Sequence, residues 1–175
     1  MVKNVKSSNV FEERTAIVKS LTNQIKKDPR NAALHFERGK AYNSVLKPEL
    51  AIRDLTKAIK LDPNKADYYA FRAHVYGRFI STYLAGLDYA QAIALDPNNS
   101  EWYVERGNWY FDDGRPDLAL PDYIRAVELD PKNPDRYEIR AMAYRGAGLQ
   151  LESKRDEAKA AQLRRAKARA THKAA

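Results

Sequence analysis

The chain has 175 residues, of which 44% are hydrophobic and 31% charged, with seven Gly, eight Pro and no Cys. This composition excludes a low-complexity or disordered chain, and the missing Cys excludes a disulfide framework, a thiolate metal site and a cysteine nucleophile. The formal charge of +8 sits at the ends: residues 1–30 hold seven Lys or Arg against three acids, residues 154–175 hold eight against two, and residues 31–153 sum to −2.

The N-terminal stretch has no apolar run of signal-peptide length before Glu12, Glu13 and Arg14. No stretch approaches the roughly 18 to 20 apolar residues of a membrane span. The expected location is therefore the cytoplasm. Residues 10–27, with Phe11, Ile17, Val18, Leu21 and Ile25, are predicted to form an amphipathic helix that caps the helices C-terminal to it. Residues 1–31 as a whole read as a basic segment plus this capping helix.

From there the sequence repeats. Asp-Pro occurs at Asp28-Pro29, Asp62-Pro63, Asp96-Pro97 and Asp130-Pro131, each 34 residues from the next. In that register the units 32–65, 66–99, 100–133 and 134–167 align without gaps. Gly39, Ala73, Gly107 and Ala141 recur, each followed three residues later by Tyr42, Tyr76, Tyr110 or Tyr144. Second halves repeat Ala51, Ala85 and Ala119, then Leu55, Tyr89 and Tyr123, then Ala58, Ala92 and Ala126. Apolar and small residues at helical spacing make each unit two amphipathic helices, with breaks at Lys47-Pro48, Gly114, Pro116 and Gly148. Each Asp-Pro ends a second helix, because the residue before Pro is pushed out of the helical region. The fourth unit is degenerate: Ser153 and Glu157 replace the apolar pair, and its second helix runs on as a cap toward Arg169. Residues 168–175 form a basic tail.

This arrangement of aromatic, small residue, Tyr, Ala, aromatic and Pro in a 34-residue unit resembles the tetratricopeptide repeat (TPR). His35, Tyr69, Tyr103 and Tyr137 stand where the family commonly has Trp, and an Arg stands where it commonly has Leu. These systematic departures look like a bacterial-type subtype. The resemblance implies an all-α, right-handed helix-turn-helix solenoid of three full repeats, a degenerate fourth and an N-terminal capping helix. It also implies a surface that binds protein, with no catalytic residue and no cofactor.

That Arg recurs as Arg38, Arg72, Arg106 and Arg140, and sixteen residues after each comes Asp54, Asp88, Asp122 or Asp156. An inward-facing Arg with an Asp in register is most simply paired, so the two are expected to bridge the helices of each unit. The rival reading, four Arg binding an anionic ligand, requires those Asp residues to lie elsewhere.

In the family the first helices line the inner face of the solenoid. Matching positions here place Phe36, Lys40, Asn43, Asp67, Phe71, His74, Arg78, Glu101, Glu105, Asn108, Phe111, Asp135, Glu138 and Arg145 in a candidate groove. Family members that hold the C-terminal carboxylate of heat-shock chaperones use Lys, Asn and Arg, where this chain has Phe36, Lys40, Phe71, Glu101 and Glu105. That clamp is absent. The acidic row instead fits a segment carrying Lys or Arg, with Phe36, Phe71 and Phe111 as apolar anchors; the bland reading of such a row is a solvated face. Trp102 and Trp109, seven residues apart on one helix face, are expected to pack against an adjacent unit rather than to present a ligand platform.

His35, His74 and His172 have no metal-ligand spacing, and no nucleophile or phosphate-loop motif is present. After Glu157 the Ala-rich segment has six Lys or Arg and no acid, a solvated helix end or a weak site for nucleic acid. The expected function is that of a non-enzymatic adaptor, scaffold or chaperone-like module binding a protein or peptide segment. The alternatives are a nucleic-acid-associated protein acting through its C-terminal helix, and a homo-oligomeric scaffold.

Overall fold

The computed structural model describes residues 3–173, with side chains described from Val10 to Thr171. All its described regular structure is helical. The elements are α1 (Lys3–Lys27), α2 (Ala32–Ser44), α3 (Pro48–Leu61), α4 (Ala66–Phe79), α5 (Thr82–Leu95), α6 (Ser100–Asp112), α7 (Pro116–Leu129), α8 (Pro134–Gly146) and α9 (Gln150–Lys173). They divide into two compact bodies, residues 1–95 and 96–175. Within each body, helices pair as α2 with α3, α4 with α5, α6 with α7 and α8 with α9.

The breaks between elements have local causes. Pro48, Pro116 and Pro134 occupy first-turn positions, where the missing N–H costs nothing. Asn31, Asn99 and Asn133 cap α2, α6 and α8 by accepting from Leu34, Glu101 and Asp135 N–H groups. Each Asn also donates to the Asp three residues earlier, at 3.0 to 3.1 Å. The Asp-Pro-x-Asn run therefore ends one helix and starts the next. Ahead of the second unit Lys65 replaces Asn, and α4 has no side-chain cap.

Within three of the four units the turn between the helices is a Schellman motif. The Lys47, Arg115 and Leu149 N–H groups reach back to the Tyr42, Tyr110 and Tyr144 carbonyls at 2.8 to 3.0 Å. The residue before each must take a left-handed conformation. Gly114 and Gly148 do so with φ of 74° and 78°, whereas the first unit uses Leu46 at 56°.

Where the helices of a pair cross, they approach closely. A Cβ on Gly39 would lie 2.9 Å from Leu55 Cγ, and one on Gly107 would lie 2.6 Å from Tyr123 Cε1. Core clusters then join α3 to α4 and α7 to α8. Leu55 and Ala51 pack with Val75, Ile59 packs with Tyr68, Tyr123 and Ala119 pack with Ala143, and Val127 packs with Tyr137.

The four Arg–Asp pairs are present and bidentate. Guanidinium Nε and Nη2 of Arg38, Arg72, Arg106 and Arg140 donate to both oxygens of Asp54, Asp88, Asp122 and Asp156 at 2.6 to 2.8 Å. All four Asp are buried. Tyr rings flank the cations, Tyr69 and Tyr76 around Arg72, Tyr137 and Tyr144 around Arg140. For Arg38, Arg106 and Arg140 the Asp hydrogen bond raises the guanidinium pKa against an opposing loss of hydration. For Arg72 burial is the larger influence and acts downward, yet the bond and charge of Asp88 prevail. These Arg are scaffold.

α1 is longer than the sequence pattern indicates, starting at Lys3 rather than near residue 10. It also stands in repeat register. Thr22 lies 34 residues before Thr56, and the two accept from Arg38 Nη1 at 3.2 Å and Arg72 Nη1 at 2.9 Å. Ile25 is buried as Ile59 is. α1 is thus the second helix of a unit whose first helix is not formed by the described residues. It exposes Val10, Phe11 and Ile17.

Candidate partner-binding groove

In the body 1–95, α2 and α4 bring Phe36 and Phe71 together edge to face, with ring centroids 5.9 Å apart; Tyr68 lies 4.7 Å from Phe36. Both Phe are partly buried against the core. Around them, the Lys40 ammonium lies 5.2 Å from the Phe36 ring and 3.0 Å from Glu37, and His74 stacks 5.9 Å from Phe71. Asp67, His74 and Arg78 line the solvent side. Asn43 and Arg78 border an open cavity of about 460 Å³ that also meets Val10, Phe11 and Leu46.

In the body 96–175, much of the predicted acidic row already holds cations of the same chain. Glu101 binds Arg136 on α8. Arg164 on α9 reaches Asp135 at 2.9 Å and Glu138 at 2.8 Å, and its pKa is raised first by the Asp135 hydrogen bond and then by the Glu138 charge. Arg145 pairs with Glu157 at 3.3 Å, so the residue standing in place of an apolar core side chain turns outward to a cation. Asn108 accepts the Tyr123 hydroxyl at 2.8 Å, and Phe111 packs into the core with Ala119, Tyr123 and Ala143. Glu105 is half-buried on α6.

Sequence reasoning missed these assignments because it compared the units position by position and did not ask which cations other helices bring to each acid. The signal for Arg164 was its place on α9 within the unit 134–167, across from an α8 face with two acids at i, i+3. A second missed feature concerns His35. Tyr103 and Tyr137 donate to the carbonyls of Pro97 and Pro131 at 3.1 Å, and buried His35 Nε2 makes the matching bond to Pro29 at 3.1 Å. His35 is a structural substitute for Tyr. His74 is exposed on another helix, and the side chain of His172 lies outside the described residues. Among the described residues no His, Asp and Glu are grouped to hold a metal. Trp102 and Trp109 are both half-buried, and Trp109 lies 4.6 Å from the Tyr110 ring.

Of the six cations after Glu157, Arg164 is engaged as described and Lys159 meets Gln162 at 3.4 Å. Arg165, Lys167 and Arg169 are exposed. No described helix is long and apolar enough to cross a membrane.

The tetratricopeptide-repeat family model matches residues 32–65 and 101–133. No curated protein sequence matches the chain. Among solved structures, MamA is similar at 24% identity with a TM-score of 0.79, over 97% of this chain and 98% of that one. MamA (residues 41 to end) from Desulfovibrio magneticus RS-1 is similar at 16% identity and a TM-score of 0.76, over 91% and 93%. YrrB, described as a TPR protein with an unusual peptide-binding site, is similar at 18% identity and a TM-score of 0.67, over 93% and 85%. With the family model on two of its units, and paired helices of the same register on all four, the chain carries tetratricopeptide repeats in an all-α fold.

Proposed function

We propose that this chain is a non-enzymatic, cytoplasmic adaptor, scaffold or chaperone-like module that holds a protein segment in the groove lined by its first helices. Its TPR fold supports a role in protein–protein interaction. The observation that carries the finer reading is the α2–α4 surface. There Phe36 and Phe71 stay partly exposed in an aromatic cluster, and Asp67, His74 and Arg78 surround them toward solvent. A hydrophobic anchor with a polar rim is what a segment-binding surface requires. The peptide-binding site in the description of YrrB agrees with this reading.

The partner segment carries Lys or Arg. The acids of α6 and α8 take guanidinium groups of their own chain, Arg136 and Arg164, so the surface is chemically suited to such a group. The test is a crosslinked pull-down from the native host with the wild-type chain and a variant carrying Asp67→Lys, Glu105→Lys and Glu138→Lys. Loss of the captured partner is expected; undiminished capture moves the site off the first helices.

A further inference from the structure

We propose that the outer face of α5 is a homodimer interface, on which a second copy of this chain docks in antiparallel, two-fold register. α5 contains one charged residue in fourteen, Asp88, and that carboxylate is buried against Arg72. At the positions where α5 shows Tyr83, Leu87, Gln91 and Ala94 to solvent, α3 carries Glu49, Arg53, Lys57 and Lys60. A solvated outer helix normally has that charged pattern, and α5 has lost it entirely. Instead Phe79, Ile80, Tyr83, Leu84 and Leu87 are 36%, 50%, 73%, 37% and 52% exposed.

Two arguments select a second copy as the occupant. The first is area. At roughly 200 Å² for a whole large side chain, these five expose about 500 Å². Of this, Tyr83, Leu84 and Leu87 on α5 itself hold about 325 Å² per copy, so two facing copies cover about 650 Å² from these three, and backbone, Ala90, Gln91 and Ala94 carry the total toward the roughly 1,000 Å² lower bound for a specific interface. The second is shape. Along the exposed row, Tyr83, Leu87, Ala90 and Ala94 read large, large, small, small. An antiparallel copy centred between Leu87 and Ala90 sets Tyr83 against Ala94 and Leu87 against Ala90 on both sides of the axis, the reciprocal pairing a two-fold contact requires. The row Tyr83, Leu87, Ala90 and Ala94 has no charge to bury; the Arg78 guanidinium lies over the Phe79 ring, 5.0 Å from its centroid, at the edge of the patch.

The test is the solution mass of the full chain by light scattering and sedimentation equilibrium across the micromolar range. Twice the 20.0 kDa of one chain is expected for wild type, and the single-chain mass for Leu87→Lys with its helical circular dichroism unchanged. The chain has no Cys, so register is read separately. An equimolar mixture of Leu87→Cys and Ala90→Cys is expected to form disulfide-linked dimers at least several-fold faster than either variant alone. A single-chain mass for wild type throughout the range, a dimer indifferent to Leu87→Lys, or equal cross-linking by Lys57→Cys on α3 overturns the proposal.

Discussion

Arg106→Ala isolates what one bridge of the ladder contributes. Asp122 is 4% exposed, and both of its oxygens are bound by Arg106, at 2.7 and 2.8 Å. Truncation leaves that carboxylate without its cation in a low-dielectric seam, a change that typically costs about 3 to 5 kcal/mol. The Arg106 side chain is 24% exposed, so water reaches the vacated space and the lower end, about 3 kcal/mol, applies. A cooperative chain of this size loses roughly 2 to 4 °C per kcal/mol, which gives a fall in Tm of about 6 to 12 °C. Thermal circular dichroism measures it, with the urea midpoint as a second readout. Arg125→Ala is the control, since its partner Glu128 is solvent-exposed and such pairs contribute little. The double change Arg106→Met with Asp122→Leu recovers most of the loss, because apolar residues of similar volume replace a buried pair with little penalty. A Tm for Arg106→Ala within a degree or two of the Arg125→Ala control refutes the argument and returns the guanidinium groups to the surface as candidate ligand contacts.

Leu46→Gly raises stability by about 0.5 to 1 kcal/mol, because it relieves a left-handed Leu at φ 56° in a turn whose counterparts are Gly114 and Gly148. A higher urea midpoint is the expected result, and a lower one shows that contacts of Leu46 outweigh the strain. Tyr123→Phe loses the bond to Asn108, about 1 kcal/mol at neutral pH, and flattens the alkaline limb of the stability curve. Burial first, then the charges of Asp112 and Asp122, raises the Tyr123 phenol above its ordinary pKa, so the folded state holds that proton more tightly than the unfolded one. The contribution is whole below about pH 10 and drains away as the pH climbs further. Urea titrations at about pH 9 and pH 11 therefore show a steeper loss for wild type than for Tyr123→Phe.

The repeat made most of the fold legible because its physics is local. A 34-residue period, Asp-Pro ends, small residues at the crossings and an Arg sixteen residues from an Asp each constrain one helix pair, and Arg140 with Asp156 keeps the pattern in the fourth unit, where the apolar pair is lost. The same sequence carried signals that pair-by-pair reading passes over. Asp28-Pro29 is itself in register, which makes α1 a second helix and Thr22 the counterpart of Thr56. Asn at the fourth position of Asp-Pro-x-Asn is a helix cap whose absence at Lys65 leaves α4 without one. The candidate groove was legible as positions but not as chemistry. Whether an acidic side chain waits for a partner depends on cations delivered from other elements, and Arg164 reaches Asp135 and Glu138 from 29 and 26 residues away.

That distinction ranks the acidic residues as partner contacts. A Lys or Arg arriving at Asp135 or Glu138 must displace Arg164, whose two ion pairs are tethered and therefore present at high effective concentration. At Glu101 it must displace Arg136, whose side chain is 12% exposed and so already largely desolvated. Asp67 differs. It stands at the start of α4, makes no ion pair among the described residues, and lies one residue from Tyr68, which stacks on Phe36. A basic residue docking there gains a carboxylate without breaking an existing pair, and a neighbouring apolar side chain meets the Phe36–Phe71 cluster. The most economical site for a basic, apolar-anchored segment is therefore the α2–α4 face, because Glu101, Asp135 and Glu138 already hold Arg136 and Arg164.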